Sequence, residues 1–305
     1  KRANKLRLAN VIDQRLGVEI EVDSLFDVQV KRMHEYKRQL LNLLHVITRY
    51  LRIKANPSLD VVPRTVIIGG KAAPGYFMAK LIIKLVNDIA DVVNNDPAVG
   101  SKLKLIFIPN YNVSTAELIM PAANLSEQIS TAGTEASGTG NMKLSLNGAL
   151  TIGTWDGANV EICEEVGEEN MFLFGLKAHE VAKIQREGYD AWRAYNGNPE
   201  LRQVLDLLRD GYFSPDQPDR YRPIYDSLTA GGDHYMLNVD FADYVATQER
   251  VDRLYQTPDQ WNRAAILNVA RMGKFSSDRT VADYARDVWF EDGAVEGMAL
   301  ARAGE

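Results

Sequence analysis

The chain has a single cysteine, Cys163, so it cannot close a disulfide within itself. That usage predicts a reducing compartment, and we expect the cytoplasm. Its four histidines, His34, His45, His179 and His234, have no ligand-like spacing, so metal binding is not indicated. No run of 18 apolar residues occurs, and no transmembrane helix is expected. Basic residues are outnumbered: 35 Lys and Arg against 41 Asp and Glu give a net charge of −6. This balance argues against a dedicated nucleic-acid binder but allows a local basic site. The opening residues, Lys1-Arg2-Ala3-Asn4-Lys5, have no apolar core behind them and do not read as a signal peptide. With no Met at its head, the chain reads as a piece of something longer.

What is present is an ordinary globular balance, 305 residues with 46% apolar and 25% charged. A domain of about 150 residues is typical, so one or two are expected. A helix is expected before residue 16. Leu25–Val30 alternates as a strand does. From His34 to about Ala55, Leu40, Leu43, Leu44, Ile47 and Leu51 share one helical face, which Asn56-Pro57 ends. Strands are expected at 64–68, 103–108, 127–130, 149–153 and 171–174. The helices between them are expected at 75–94, 114–120, 140–147 and 157–163. Beyond about residue 178 only helices are expected, near 179–187, 198–210, 241–255, 258–272 and 278–289, with loops at 210–223 and 230–233. The alternation predicts an α/β protein with a doubly wound parallel sheet covered on both faces.

Three stretches carry candidate chemistry. Lys31, Arg32, Lys37 and Arg38 surround one Glu35 where a strand ends and a helix begins. Ligands bind at that edge of an α/β sheet, and helix N-termini favour anions while repelling cations. Several cations in one such place suggest an anion site, although composition alone favours a solvated basic face. Gly69-Gly70-Lys71-Ala72-Ala73-Pro74-Gly75 joins a strand to a helix but has neither dinucleotide nor P-loop spacing, so a tight structural turn is at least as good a reading. The densest stretch is Ser130–Lys143, where Gly138-Thr139-Gly140 opens a helix in the form of a phosphate cradle. Thr139 stands where a P-loop needs Lys, and Lys143 stands where a dinucleotide fingerprint needs its third glycine. Lys143, one turn into that helix, is a candidate Schiff-base lysine or simply a surface lysine. Asp156-Gly157-Ala158-Asn159 looks like a helix cap.

The stretch 127–143, ending Glu-Ala-Ser-Gly-Thr-Gly-Asn-Met-Lys, resembles the pyridoxal-phosphate signature of the α-glucan phosphorylases (glycogen, starch and maltodextrin phosphorylases). Asp27–Leu41, Val62–Gly75, Ala149–Glu161 and Gly273–Thr280 resemble the same family, so the likeness runs from about Asn4 to Trp289. It implies the C-terminal, Rossmann-like half of a GT-B fold: a catalytic domain over 1–275, and a helical C-terminal segment over 276–305 that crosses back to an N-terminal domain. The implied enzyme is a hexosyltransferase. Inorganic phosphate cleaves a terminal α-1,4-linked glucose to α-glucose 1-phosphate with retention.

By the same resemblance, Lys143 holds pyridoxal 5'-phosphate as an imine. Gly138, Thr139 and Gly140 bind the cofactor phosphate, and Tyr111 lies against the cofactor. Lys31, Arg32 and Lys37 gather the two phosphates, while Glu135, Ala136 and Ser137 contact glucosyl hydroxyls. Asn112 is a departure, since some members carry arginine there. The expected partners are α-1,4-glucan and inorganic phosphate, without nucleic acid or membrane, and the full-length form is expected to be a homodimer. This piece alone is expected to be inactive. Two alternatives are a GT-B nucleotide-sugar glycosyltransferase, which needs no imine lysine at 143, and a non-catalytic fragment that binds cofactor or glucan.

Overall fold

A computed structural model describes residues 1–289. In chain order the first half gives α1 (Arg2–Leu16), β1 (Leu25–Val30), α2 (Gln39–Ala55), β2 (Arg64–Gly69), α3 (Phe77–Asn95) and β3 (Leu103–Ile108). Then come α4 (Val113–Ile119), β4 (Leu125–Gln128), α5 (Gly140–Leu146), β5 (Leu150–Gly153), α6 (Asn159–Val166) and β6 (Phe172–Leu173). The remainder is helical: α7 (Ala178–Glu187), α8 (Ala191–Gly197), α9 (Pro199–Arg209), α10 (Arg222–Leu228), α11 (Leu237–Tyr255), α12 (Pro258–Arg271) and α13 (Ser277–Tyr284).

The strands form one six-stranded, all-parallel sheet in the order β3-β2-β1-β4-β5-β6. This is the Rossmann order, and the doubly wound α/β expectation holds. Side-chain alternation explains why the strands read as nearly unbroken apolar runs. Phe26, Val28, Val30, Ile67 and Ile106 face one side, where Leu8 and Ile12 of α1, Ile119 of α4 and Leu144 of α5 cover them. Leu25, Val66, Ile68, Leu103 and Leu105 face the other, under α2, α3, α9 and α11. Strands buried on both faces need apolar residues at successive positions.

The second face also carries charge. Arg64, fully buried, donates to Asp27 Oδ2 at 2.7 Å and to Asp252 Oδ1 of α11 at 2.7 Å. Glu127 beside them accepts from Gln248 Nε2 at 2.7 Å and Tyr244 Oη at 3.0 Å, so α11 is pinned to the sheet by polar groups. Burial, and then the nearby Asp27 carboxylate, hold Glu127 well above the usual carboxylate range.

Several expected boundaries move. The helix expected from His34 begins at Gln39. His34 Nδ1 instead accepts from Tyr36 N at 3.3 Å and caps a 3₁₀ turn over Glu35–Lys37, after which Arg38 takes a left-handed backbone, φ 55. The strand expected at 127–130 runs over Leu125–Gln128. Residues 129 and 130 leave the ladder because Arg38 takes their carbonyls, at 2.7 Å for Ile129 O and 3.3 Å for Ser130 O. α8 was not expected, and α10 begins inside the loop expected at 210–223. The buried Tyr221, which donates to Asp88, orders that loop. The segment expected at 278–289 is α13 followed by a wider π turn over Ala285–Trp289. Of the segment expected at 276–305, residues 290–305 lie outside the described residues.

Candidate active site

Between β1 and β4 the strand order reverses, and chain segments leave the two carboxyl ends in opposite directions. This switch point is where doubly wound sheets open a ligand crevice. The ends of β1, β2, β3, β4 and β5 deliver Lys31, Gly70, Tyr111, the 129–140 loop and Asp156 to one edge of the sheet.

Lys31 follows β1 directly, and its Nζ donates to Gln128 Oε1 at the end of β4 at 2.8 Å. Burial is the main cause that pushes its pKa down, to about 7, and the neighbouring Lys37 charge adds to it. Glu135 and Glu127 act the other way. Lys37, six residues on, is half-buried and ion-paired to the Glu135 carboxylate. Burial is the largest single influence and opposes its charge, but the hydrogen bond that Lys37 donates to Glu135, the contact with Tyr36 and the charge of Glu135 together outweigh it, and the pKa stays above the ordinary lysine value. Arg32 is exposed, and its guanidinium has no partner among the described residues. The structure thus brings Lys31, Lys37 and Glu135 together and leaves Arg32 free at the rim.

Arg38 behaves differently from the rest of the basic cluster. It is fully buried, pairs with Asp240 at 2.6 Å and anchors the start of the 129–140 loop. The cluster therefore splits into crevice cations and one structural arginine. The cations also precede α2 instead of occupying its first turn, so the helix dipole does not oppose them.

Gly70 has a local reason. A Cβ there would lie 2.0 Å from Lys31 O, so only glycine lets β2 end this close to the turn after β1. The glycine turn is structural, and its effect is to seat Lys31.

The 129–140 loop is organised by Asp156, which does not cap a helix. Its Oδ2 accepts from Ser130 Oγ at 2.8 Å and Glu135 N at 2.9 Å, and its Oδ1 from Gly133 N at 2.9 Å. Ala158 N donates to Ser137 O at 2.8 Å. Asn159 Nδ2 reaches Gln128 O at 3.0 Å, and Asn159 Oδ1 accepts from Asn141 of α5 at 3.0 Å. This role of Asp156 and Asn159 was not legible in the sequence, because two polar residues that face a glycine-rich loop across the sheet leave no periodic signal.

Ala136 and Ser137 are exposed, beside Glu135. The backbone N–H groups of Gly138, Thr139 and Gly140 make no hydrogen bond among the described residues, so they are available to an anion. Lys143 is exposed, and its amine has no partner among the described residues. Tyr111 is partly buried against the α1 side of the sheet, with Leu144 of α5 in the same apolar cluster. Asn112 caps α4: its Oδ1 accepts from Thr115 N at 3.1 Å and its Nδ2 donates to Asn110 O at 2.9 Å. Both amide ends serve its own turn.

Fold and site together define a Rossmann-like α/β domain with a cation-lined crevice at its switch point. The chain belongs to the carbohydrate phosphorylase family, whose sequence model matches residues 1–290. It is 61% identical over 289 residues to a glycogen phosphorylase of Synechocystis, 59% to the human muscle form and 58% to the bovine liver form. Each match covers 95% of this chain and 34% of the relative, so the chain spans about a third of the length of these relatives.

Proposed function

We propose that this chain is the C-terminal catalytic part of an α-glucan phosphorylase, in which inorganic phosphate cleaves a terminal α-1,4-linked glucose to α-glucose 1-phosphate. The observation that carries this reading is the meeting of Lys31, Lys37 and Glu135 at the switch point, beside a loop with free N–H groups. The relatives are named glycogen phosphorylases, and the family uses pyridoxal phosphate. The residues here fit that group. Lys143 offers an unpartnered amine, and Gly138-Thr139-Gly140 offers unpaired donors one helical turn before it.

In this reading Lys143 holds the cofactor, Gly138, Thr139 and Gly140 hold its phosphate, and Tyr111 packs against it. Bound there, the cofactor would bring a second phosphate group into the crevice and, through it, acid–base chemistry. Two such anions in one crevice would repel strongly at its low effective dielectric, and cations must offset this. Lys31, Arg32 and Lys37 do so. Lys31 is the cation whose proton is nearly balanced near neutral pH in the free chain, so an arriving anion fixes its charge. Glu135, Ala136 and Ser137 orient the glucosyl hydroxyls. No pair of glycosidase carboxylates is needed.

Residues 1–275 form the catalytic domain and 276–305 the segment that returns to an N-terminal domain. The whole protein is a cytoplasmic homodimer, and this piece alone does not turn over. Among the described residues no helix is long and apolar enough to cross a membrane. The test is reductive trapping. Incubation with pyridoxal phosphate and borohydride, followed by peptide mass analysis, is expected to give a single adduct at Lys143. Scattered labelling in the full-length protein overturns the cofactor assignment and favours a nucleotide-sugar transferase.

A further inference from the structure

Lys37 and Glu135 stand on opposite sides of the switch point, and both backbones are held. Gln29 Nε2 donates to Lys37 O at 3.1 Å, and the buried Arg38 follows it. Glu135 N is held by Asp156 at 2.9 Å. The pair therefore opens by side-chain rotation alone. Its side chains are 15% and 22% exposed, so both can reach a ligand in the crevice. The Tyr36 ring lies 4.6 Å from Lys37 Nζ and gives the ammonium a second contact besides Glu135.

The charges make this pair an exclusive choice. Lys31 and Lys37 present two ammonium groups, and the Glu135 carboxylate is bonded to Lys37 and near enough to Lys31 to act on its charge. A phosphate taking Lys37 meets that carboxylate at contact distance, where like charges repel strongly. The carboxylate must leave Lys37, and it then lacks a donor. Sugar hydroxyls are donors that can take it.

We propose that the Lys37–Glu135 ion pair couples the two substrates: phosphate displaces Glu135 from Lys37, the freed carboxylate accepts glucosyl hydroxyls, and each ligand thereby strengthens the other. The inference rests on the site roles given under Proposed function. Coupling between two ligands is reciprocal, so sugar must tighten phosphate by the same factor that phosphate tightens sugar. Without sugar, phosphate pays for an unpaired carboxylate, and the crevice stays closed to unproductive phosphate.

Phosphate binding to the full-length holoenzyme, measured by calorimetry with and without glucose as the sugar probe, tests this. Glu135→Gln keeps the side-chain shape and the loop held by Asp156. It is expected to bind inorganic phosphate about five-fold tighter without sugar, and to lose most of the enhancement that glucose gives the native protein. Glu135→Asp keeps the charge and is expected to stay near the native phosphate affinity. Lys37→Met serves as the control for the site itself and is expected to weaken phosphate. If Lys37→Met weakens phosphate while Glu135→Gln changes neither affinity nor enhancement, the coupling is overturned and the site reading stands. If Lys37→Met leaves phosphate unchanged, the site reading fails and the coupling fails with it.

Discussion

Lys31 Nζ lies 2.8 Å from Gln128 Oε1, a hydrogen bond that joins the ends of β1 and β4 where the strand order reverses. Gln128 is itself oriented, since its Nε2 donates to Ser126 Oγ at 2.9 Å. The bond places a charged side chain inside the crevice that the reversal opens.

The depressed pKa of Lys31 sets a pH dependence. Its protonated form attracts an anion, so affinity is full below about pH 7 and is lost as the pH rises through that value. Sulfate, which does not titrate in this range, is the clean probe. Its affinity is expected to fall by up to about ten-fold per pH unit above pH 7. Lys31→Met should bind more weakly and show a much flatter profile. A native profile that is flat from pH 6 to 9 contradicts the role of Lys31.

Two glycines should separate folding from binding. At Gly70 an added Cβ meets Lys31 O at 2.0 Å, so Gly70→Ala is expected to cost about 3 kcal/mol or more in denaturant unfolding. At Gly140 nothing lies within 4 Å of an added Cβ, and Gly140→Ala should leave stability unchanged or gain about 0.5 kcal/mol. The same Gly140→Ala change should nevertheless reduce pyridoxal phosphate retention, read from cofactor absorbance after dialysis.

Asp156 holds three donors of the 129–140 loop. Its replacement by Ala is expected to destabilise the chain by about 2–3 kcal/mol, because these groups lose a charged acceptor. Amide hydrogen exchange should rise at Gly133 and Glu135 specifically. Uniform exchange across the sheet would show that the carboxylate supports the fold as a whole and not this loop.

Glu127 gives a second pH signature. Its folded pKa is raised by burial, while an unfolded glutamate ionises near its ordinary value of about 4.3. The stability it contributes is therefore present below that ordinary value and is lost as pH rises towards the folded pKa. Glu127→Gln removes the titration, so its stability relative to the native chain should improve between pH 4 and pH 8. Urea midpoints at the two pH values measure this, and an unchanged difference would count against a neutral buried carboxyl.

The sheet was legible because strands buried on both faces, such as Arg64–Gly69 and Leu103–Ile108, must be apolar at nearly every position. The site was legible in part for the same kind of reason. Cations beside a strand end, and glycines before a helix, are local patterns. Arg38 shows the limit: it shares the composition of the crevice cations, and only its distance to Asp240, two hundred residues away in sequence, removes it to the interior. The partition of Arg64, Asp27 and Glu127 into one buried layer was equally invisible, because each lies on a different strand and nothing local to it names its partners.

The sequence by itself determined the order of the strands and of the helices between them, the parallel sheet and the stretches that carry cations and free donors, since these follow from periodicity and residue type over a few positions. The tertiary structure alone decided which charges meet. It paired Lys37 with Glu135, tied Lys31 to Gln128 and made Asp156 the anchor of the loop. Electrostatic partners are fixed by distances across the sheet, and those distances depend on strand order and register, which no short run of residues encodes.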